Sequence, residues 1–327
     1  MVKDSNAGSM MEKGLTALGL STRDAFDLPS SDLRFPDGGH YRIEIAGIER
    51  ASTLVAMVKE AEKRGVPLHR AIGTVGGATY LDEAELKDYA QLAVENRIEV
   101  IMTAGPRRFW DEGRQLVTSE GLVSGMRIRG VDNLRYLLLD IERCIDAGIR
   151  GFLVADEGVL WILNQLREEG YIPKNTVFKV SVFAGHGHPA AGKLLKSLGA
   201  NSVNPLADLT LPMLASLRQG FDLPLDVYII LVGAMGGFNR FYEAAEIARV
   251  TSPCYFKFEP GPSEDEIYAP WNEESYHEHL VREKVRYASI VMELIDKIAP
   301  AILPSPAGTD DLAVPEAPAP DAAERGA

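Results

Sequence analysis

Eight short apolar segments, each followed by a helical pattern, recur with a steady beat between residues 41 and 260, and this alternation constrains the fold more than any other feature. The predicted strands are residues 41–48, 68–75, 99–105, 151–156, 177–184, 201–206, 225–233 and 254–260. Stretches such as "ASTLVAMVKEAEKRG" and "DNLRYLLLDIERCIDAG" have helical spacing and end on a glycine suited to a C-cap. Strands that alternate with helices build parallel sheets. Eight such units in about 260 residues match a (β/α)8 TIM barrel, an α/β fold, here expected over residues 41–300. An open doubly wound sheet is the alternative, but no G-x-G-x-x-G follows the first strand.

The flanks read differently. Residues 1–40 are expected to form an N-terminal arm, with a weak helical pattern around Leu15, Leu18 and Phe26. Residues 301–327, rich in Pro and Ala, are expected to be a disordered tail. A formal charge of −13 argues against nucleic acid and anionic membrane as partners, since both call for a basic footprint. No apolar run is long enough to span a bilayer, and the N-terminal stretch lacks the apolar core of a secretory signal. Two cysteines, Cys144 and Cys254, support neither a disulfide framework nor a four-thiolate site. A soluble cytoplasmic protein with a small-molecule substrate is the expectation, with a homo-oligomer left open.

Period two within the strands assigns their faces. Ile43, Ile45, Val180, Val182, Val227, Ile229, Phe256 and Phe258 should pack outward on the helices. The opposite faces should fill the lumen with Arg42 and Glu44, Lys179 and Ser181, Asp226 and Tyr228, and Tyr255, Lys257 and Glu259, with Arg70 joining them from the second strand. Barrel lumens are normally filled by branched aliphatic side chains. Buried charges must be paired, hydrated or used on a ligand, since leaving one alone costs several kcal/mol. Two readings follow: internal ion pairs that plug the barrel, or an active site at the C-terminal ends of the strands. The second places Glu44, Lys257 and Glu259 in a reactive layer over a floor of Lys179, Ser181, Asp226 and Tyr228.

The loops at that end add candidates. The long connection after the third strand carries Arg107, Arg108, Arg114, Arg127 and Arg129, which suit recognition of a carboxylate or phosphate, or else pair with nearby acids. The glycine-rich "VGAMGGFNR" after the seventh strand sits where barrels bind phosphate through backbone amides, which would make Gly236 and Gly237 substrate-binding; a plain tight turn is the competing account. His186 is a candidate acid or base. Together His186, His188 and Asp156 are an alternative divalent-metal set. Tyr268 and Trp271, after the eighth strand, could wall a lid.

Strands five to eight resemble the barrel proteins grouped as peptidase family U32, over about a third of the chain. The resemblance rests on "FKVSVFAGHGHPAAGKLLKSLGANSVNPLADLTLPML" and on "LDVYIILVGAMGG", an acidic-residue strand running into a Gly-Ala-Met turn. It implies a barrel fold. In that family a cysteine within a cysteine cluster typically follows the turn, whereas this chain has Gly236 there and no such cluster. The iron–sulphur clusters associated with some members are therefore not expected. Neither a nucleophile elbow nor H-E-x-x-H accompanies the peptidase label.

The expected function is a barrel hydrolase or lyase acting on a small anionic or peptide-like substrate. Glu259 or Glu44 would shuttle the proton, Lys257 would stabilise negative charge, and loop arginines would hold the anion. The alternatives are a non-catalytic ligand-binding barrel or subunit of a complex, and a metal-dependent lyase using the His186/His188 loop.

Overall fold

The computed structural model describes residues 9–105 and 127–317. Eight parallel strands close in sequence order into one barrel: β1 (Tyr41–Ile48), β2 (Leu68–Gly73), β3 (Glu99–Met102), β4 (Gly151–Val154), β5 (Val177–Val180), β6 (Ser202–Val203), β7 (Leu225–Ile230) and β8 (Cys254–Phe258). Helix α1 (Met10–Ala17) precedes the barrel. The outer ring comprises α2 (Ala51–Arg64), α3 (Glu83–Glu95), α4 (Gly130–Asp146), α5 (Glu157–Glu168), α6 (Pro189–Ser197), α7 (Leu211–Gly220), α8 (Ala244–Thr251), the short α9 (Glu264–Ile267) and the long α10 (Glu274–Ile298). The expected (β/α)8 barrel is the architecture found.

The core lies between strands and helices, where Ile43, Ile45, Val180, Val227, Ile229, Phe256 and Phe258 pack outward as their period predicts. Val182 does not. Strand β5 ends at Val180, and a 3-10 turn over Val182–Ala184 swings Val182 into a second cluster with Tyr228, Leu231, Val232, Ile267 and Tyr268. Alternation holds only while the backbone stays extended. Inside the barrel Ala46, Ile72 and Ile101 make an apolar wall with Leu153 and Val177. Strands β1, β2, β3 and β5 also carry polar lumen residues, Arg42, Glu44, Arg70, Glu99 and Lys179, and β6, β7 and β8 add Ser202, Asp226, Tyr228, Tyr255 and Lys257.

The arm and the tail meet at the N-terminal end of the barrel. Helix α1 has a capping box at Ser9 and Glu12 but buries no side chain. Further along, the Ala25 amide donates to Ser216 Oγ at 2.8 Å and Phe35 meets Tyr255 edge-on. The expectation of a disordered tail fails for residues 301–317. Pro304 bridges to Tyr41, the Ser305 amide donates to Tyr41 O at 2.9 Å, and Asp311 pairs with Arg42 at 2.6 Å. The Ala313 amide donates to Glu99 Oε2 at 2.9 Å, and Glu316 pairs with Arg150. Composition argued for disorder because it counts few apolar groups; the segment is held instead by polar groups that the barrel floor would otherwise leave unpaired.

Candidate functional site

Parallel strands in register put side chains of neighbouring strands at matched heights. Glu44 pairs in register with Arg70 on one side and Lys257 on the other; Lys257 is in turn opposite Tyr228, and Arg70 opposite Glu99. From this ring the side chains divide into a lower and an upper network.

The lower network is a plug. Lys179 Nζ lies 2.7 Å from both oxygens of Glu44 and makes a 3.1 Å ion-pair contact with Asp226. Arg70 reaches Glu44 at 3.1 Å, Asp226 at 2.7 Å and Ser202 Oγ at 3.2 Å, pairs with Glu99, and lies with its guanidinium 3.5 Å from the Tyr255 ring centroid. Burial raises the Asp226 carboxyl, and the neighbouring Glu44 adds to the rise against the pull of Lys179 and Arg70. Burial also opposes the charge on Glu44, but Lys179, Arg70 and Lys257 outweigh it and lower that carboxyl. Lys179 is lowered by burial, helped by Arg70 and Lys257. Below the plug, Arg42 is held by Asp37, Asp311, Ser305 and Tyr255.

This arrangement corrects the expected layering. The Glu44 carboxylate is bound into the plug rather than placed beside Glu259, and Arg70 is spent on carboxylates rather than left for substrate. Ser181 is not a floor residue: its Oγ caps the 3-10 turn by accepting from the Phe183 amide. Tyr228 belongs to the upper network.

That upper network is a symmetric chain. Lys257 Nζ donates to Tyr228 Oη at 2.6 Å, and Tyr228 donates to Glu259 Oε2 at 3.0 Å. Lys284 Nζ donates to Tyr268 Oη at 2.6 Å, and Tyr268 donates to Glu259 Oε1 at 2.8 Å. Burial disfavours the charge on Lys257, but Glu259 and then Glu44 more than offset this and raise it, so Lys257 is an ammonium. The Glu259 carboxyl, which burial would raise, is lowered by Lys257 and Lys284 and by both phenols. Burial pushes Lys284 down to about 8. Gly47 makes room for this chain. It breaks the register of β1 with a positive φ of 76°, and a Cβ there would run into the Tyr268 ring.

At the same C-terminal end, after β4 and β5, a second group forms. His186 Nε2 lies 2.6 Å from Glu157 Oε1, and Arg127 pairs with Glu157 and donates to Ala155 O at 3.0 Å. Burial opposes the charge on Glu157, but Arg127 and His186 hold its carboxyl low. A carboxylate only accepts, so in this contact His186 Nε2 carries a proton and donates it to Glu157. Arg127 therefore orients Glu157 rather than standing open for an anion. Arg129 N-caps α4. Arg107, Arg108 and Arg114 lie outside the described residues.

The metal set is not assembled. His188 N-caps α6, with Nδ1 accepting from the Ala191 amide at 3.3 Å. Asp156 N-caps α5, accepting from Gly158 at 2.8 Å and Val159 at 3.1 Å. Among the described residues no three His, Cys, Asp or Glu side chains gather as metal ligands. The glycine turn after β7 is equally occupied. Its Gly233 and Ala234 amides donate to Gly261 O and Pro262 O, both at 2.8 Å, while the Gly236 and Gly237 amides donate to Gly233 O and Val232 O, both at 3.1 Å. Gly236 and Gly237 are required by φ values of 114° and 62°, not by an anion.

Of the expected lid residues, Tyr268 is buried in the chain described above and Trp271 is exposed. Reasoning from strands overlooked Glu99 and Lys284. Glu99 follows the period of β3. Lys284 interrupts the buried apolar stripe Val281, Val285, Ala288, Val291 and Ile295 of α10, a position where a solvated lysine does not belong.

No protein-family model matches the sequence, and no curated protein matches it. Among solved structures the chain is similar to the YdjI aldolase of Escherichia coli K12, at 14% identity and a TM-score of 0.46 over 80% of this chain and 92% of that one. It is similar to a U32 peptidase at 16% identity and a TM-score of 0.39, over 70% of this chain and 96% of that one. A truncated 3-deoxy-D-arabino-heptulosonate 7-phosphate synthase from Thermotoga maritima gives 13% identity and a TM-score of 0.43, over 85% and 96%. What this chain shares with them is the barrel; likeness at that distance carries no argument about its chemistry.

Proposed function

We propose that the chain is a barrel enzyme acting on a small anionic substrate at the C-terminal mouth, with Lys257 stabilising developing negative charge. The observation that carries this reading is the asymmetry of the lumen. The lower charges are paired with one another, while Lys257 stands above them, held as an ammonium by Tyr228 and Glu259 at the end of β8. A preorganised cation in a water-poor site is the device that stabilises an enolate or oxyanion. His186, oriented by Glu157, supplies the proton acceptor.

Between the two chemistries that fit, lyase is favoured over hydrolase. Both cysteines are buried, and burial raises their thiols, Cys254 to about 12. Ser181 is engaged as a cap. These three offer no activated nucleophile, which argues against hydrolysis through a covalent intermediate and favours proton abstraction with charge stabilisation. A binding-only barrel is the second reading, favoured by the complete pairing of the lower lumen.

The test is a screen of small carboxylic and phosphorylated acids by thermal shift, followed by product analysis of the hits. Ligands that stabilise the protein and are converted support the enzyme. Stabilisation without conversion selects the binding-only barrel, and no stabilising acid at all contradicts both.

A further inference from the structure

We infer that Lys284 is a positioning residue of the mouth: by donating to the Tyr268 hydroxyl it commits the phenolic proton to Glu259, and so keeps Glu259 as the anion that anchors Lys257. This rests on the proposed role of Lys257.

The argument is one of proton counting. A phenol carries one proton, and an ammonium donates but does not accept. Tyr268 Oη accepts from Lys284 at 2.6 Å, so its own proton goes to Glu259 Oε1, 2.8 Å away. Tyr228 Oη accepts from Lys257 at 2.6 Å, so its proton goes to Glu259 Oε2, 3.0 Å away. Both carboxylate oxygens thus receive a donor. A protonated Glu259 would have to aim its proton at an oxygen already donating to it. Because the two phenols point toward the centre from opposite ends, the chain is a clamp rather than a one-way proton wire.

Lys284 is well placed for that role. It rises from α10, outside the barrel, and Ala46 O accepts a second bond from it at 2.8 Å. Lys257 on β8, Glu259 just past its end, Glu49 beyond β1, Glu264 on α9 and His277 on its own helix are the ionisable groups acting on it or feeling it. Without Lys284, Tyr268 is free to turn its proton away, and Glu259 loses a donor and a cation together.

The experiment is an NMR titration of protein labelled with 13C at the glutamate carboxyl carbons, which needs no substrate. It compares wild type with Lys284→Met, Lys284→Arg and Tyr268→Phe. The expected result is that Lys284→Met and Tyr268→Phe each raise the Glu259 midpoint by about one pH unit or more, a tenfold change in its protonation equilibrium, while Lys284→Arg restores it. Should one of these variants fail to fold, the other carries the test. A Glu259 midpoint within about a third of a unit of wild type in the folded variants overturns the inference. Since activity is not the readout, an inactive protein with the expected shift would refute the functional reading alone.

Discussion

Lys179 Nζ stands 2.7 Å from each oxygen of Glu44, on strands on opposite sides of the barrel, and neither side chain is more than 1% exposed. This pair ties β1 to β5 across the lumen and is the keystone of the lower plug. Breaking a buried pair by removing one partner leaves an uncompensated charge. Lys179→Met should therefore cost about 3–5 kcal/mol in denaturant unfolding, against about 0.5 kcal/mol or less for Lys59→Met on the exposed face of α2. Equal, small losses would show that the plug is not held by this pair.

No lysine of the lumen should form a Schiff base. A nucleophilic amine must be neutral and within reach of a carbonyl. Lys257 is raised by Glu259 and Glu44 against the effect of burial, so it is charged. Lys179 and Lys284 are lowered by burial, but both are sealed from solvent. Borohydride added with a panel of 2-oxo acids should leave every lysine of the barrel unmodified by mass spectrometry. A reduced adduct on Lys257 would replace charge stabilisation with covalent chemistry.

Acid should loosen the tail from the barrel floor. His69 Nδ1 accepts from the Ile43 amide at 3.0 Å, so the ring is neutral and its Nε2 proton goes to Ser305 O, also at 3.0 Å. Burial, with Arg42 nearby, depresses His69 to about 4. The unfolded chain takes up a proton near pH 6.5 that the folded chain refuses until about 4, so stability is lost as pH falls through this window. The loss amounts to about 3 kcal/mol at most. Unfolding of wild type and His69→Gln at neutral pH and near pH 4.5 checks this. The stability advantage of wild type should shrink in acid; a constant difference would mean that His69 titrates alike in both states.

The fold was legible because alternation is a backbone property, and it holds along β8, along β7 as far as Tyr228, and in β1 before the irregularity at Gly47. Errors gathered where that geometry stops. Ser181 and Val182 lie past the end of β5, and His188 and Asp156 are helix caps, roles fixed by turns rather than by period. The lumen residues could be named from the sequence, but their grouping could not. Glu44 and Lys257 share a register row, yet their side chains go to different networks because Lys179 claims Glu44 from across the barrel and Arg70 from the neighbouring strand. The tail illustrates the same limit. Arg42, His69 and Glu99 each need a partner, and nothing in "LPSPAGTDDLAVPE" announces that it supplies them.

The most direct test is ligand binding to wild type and to Lys257→Met, with thermal-shift hits from the acid screen measured by calorimetry. The account predicts that Lys257→Met folds, because the plug beneath it is complete, and that it binds those acids at least about a hundredfold more weakly, the cost of losing a charge-assisted contact in a desolvated site. Equal affinity in the two proteins would place the working site elsewhere and contradict the account.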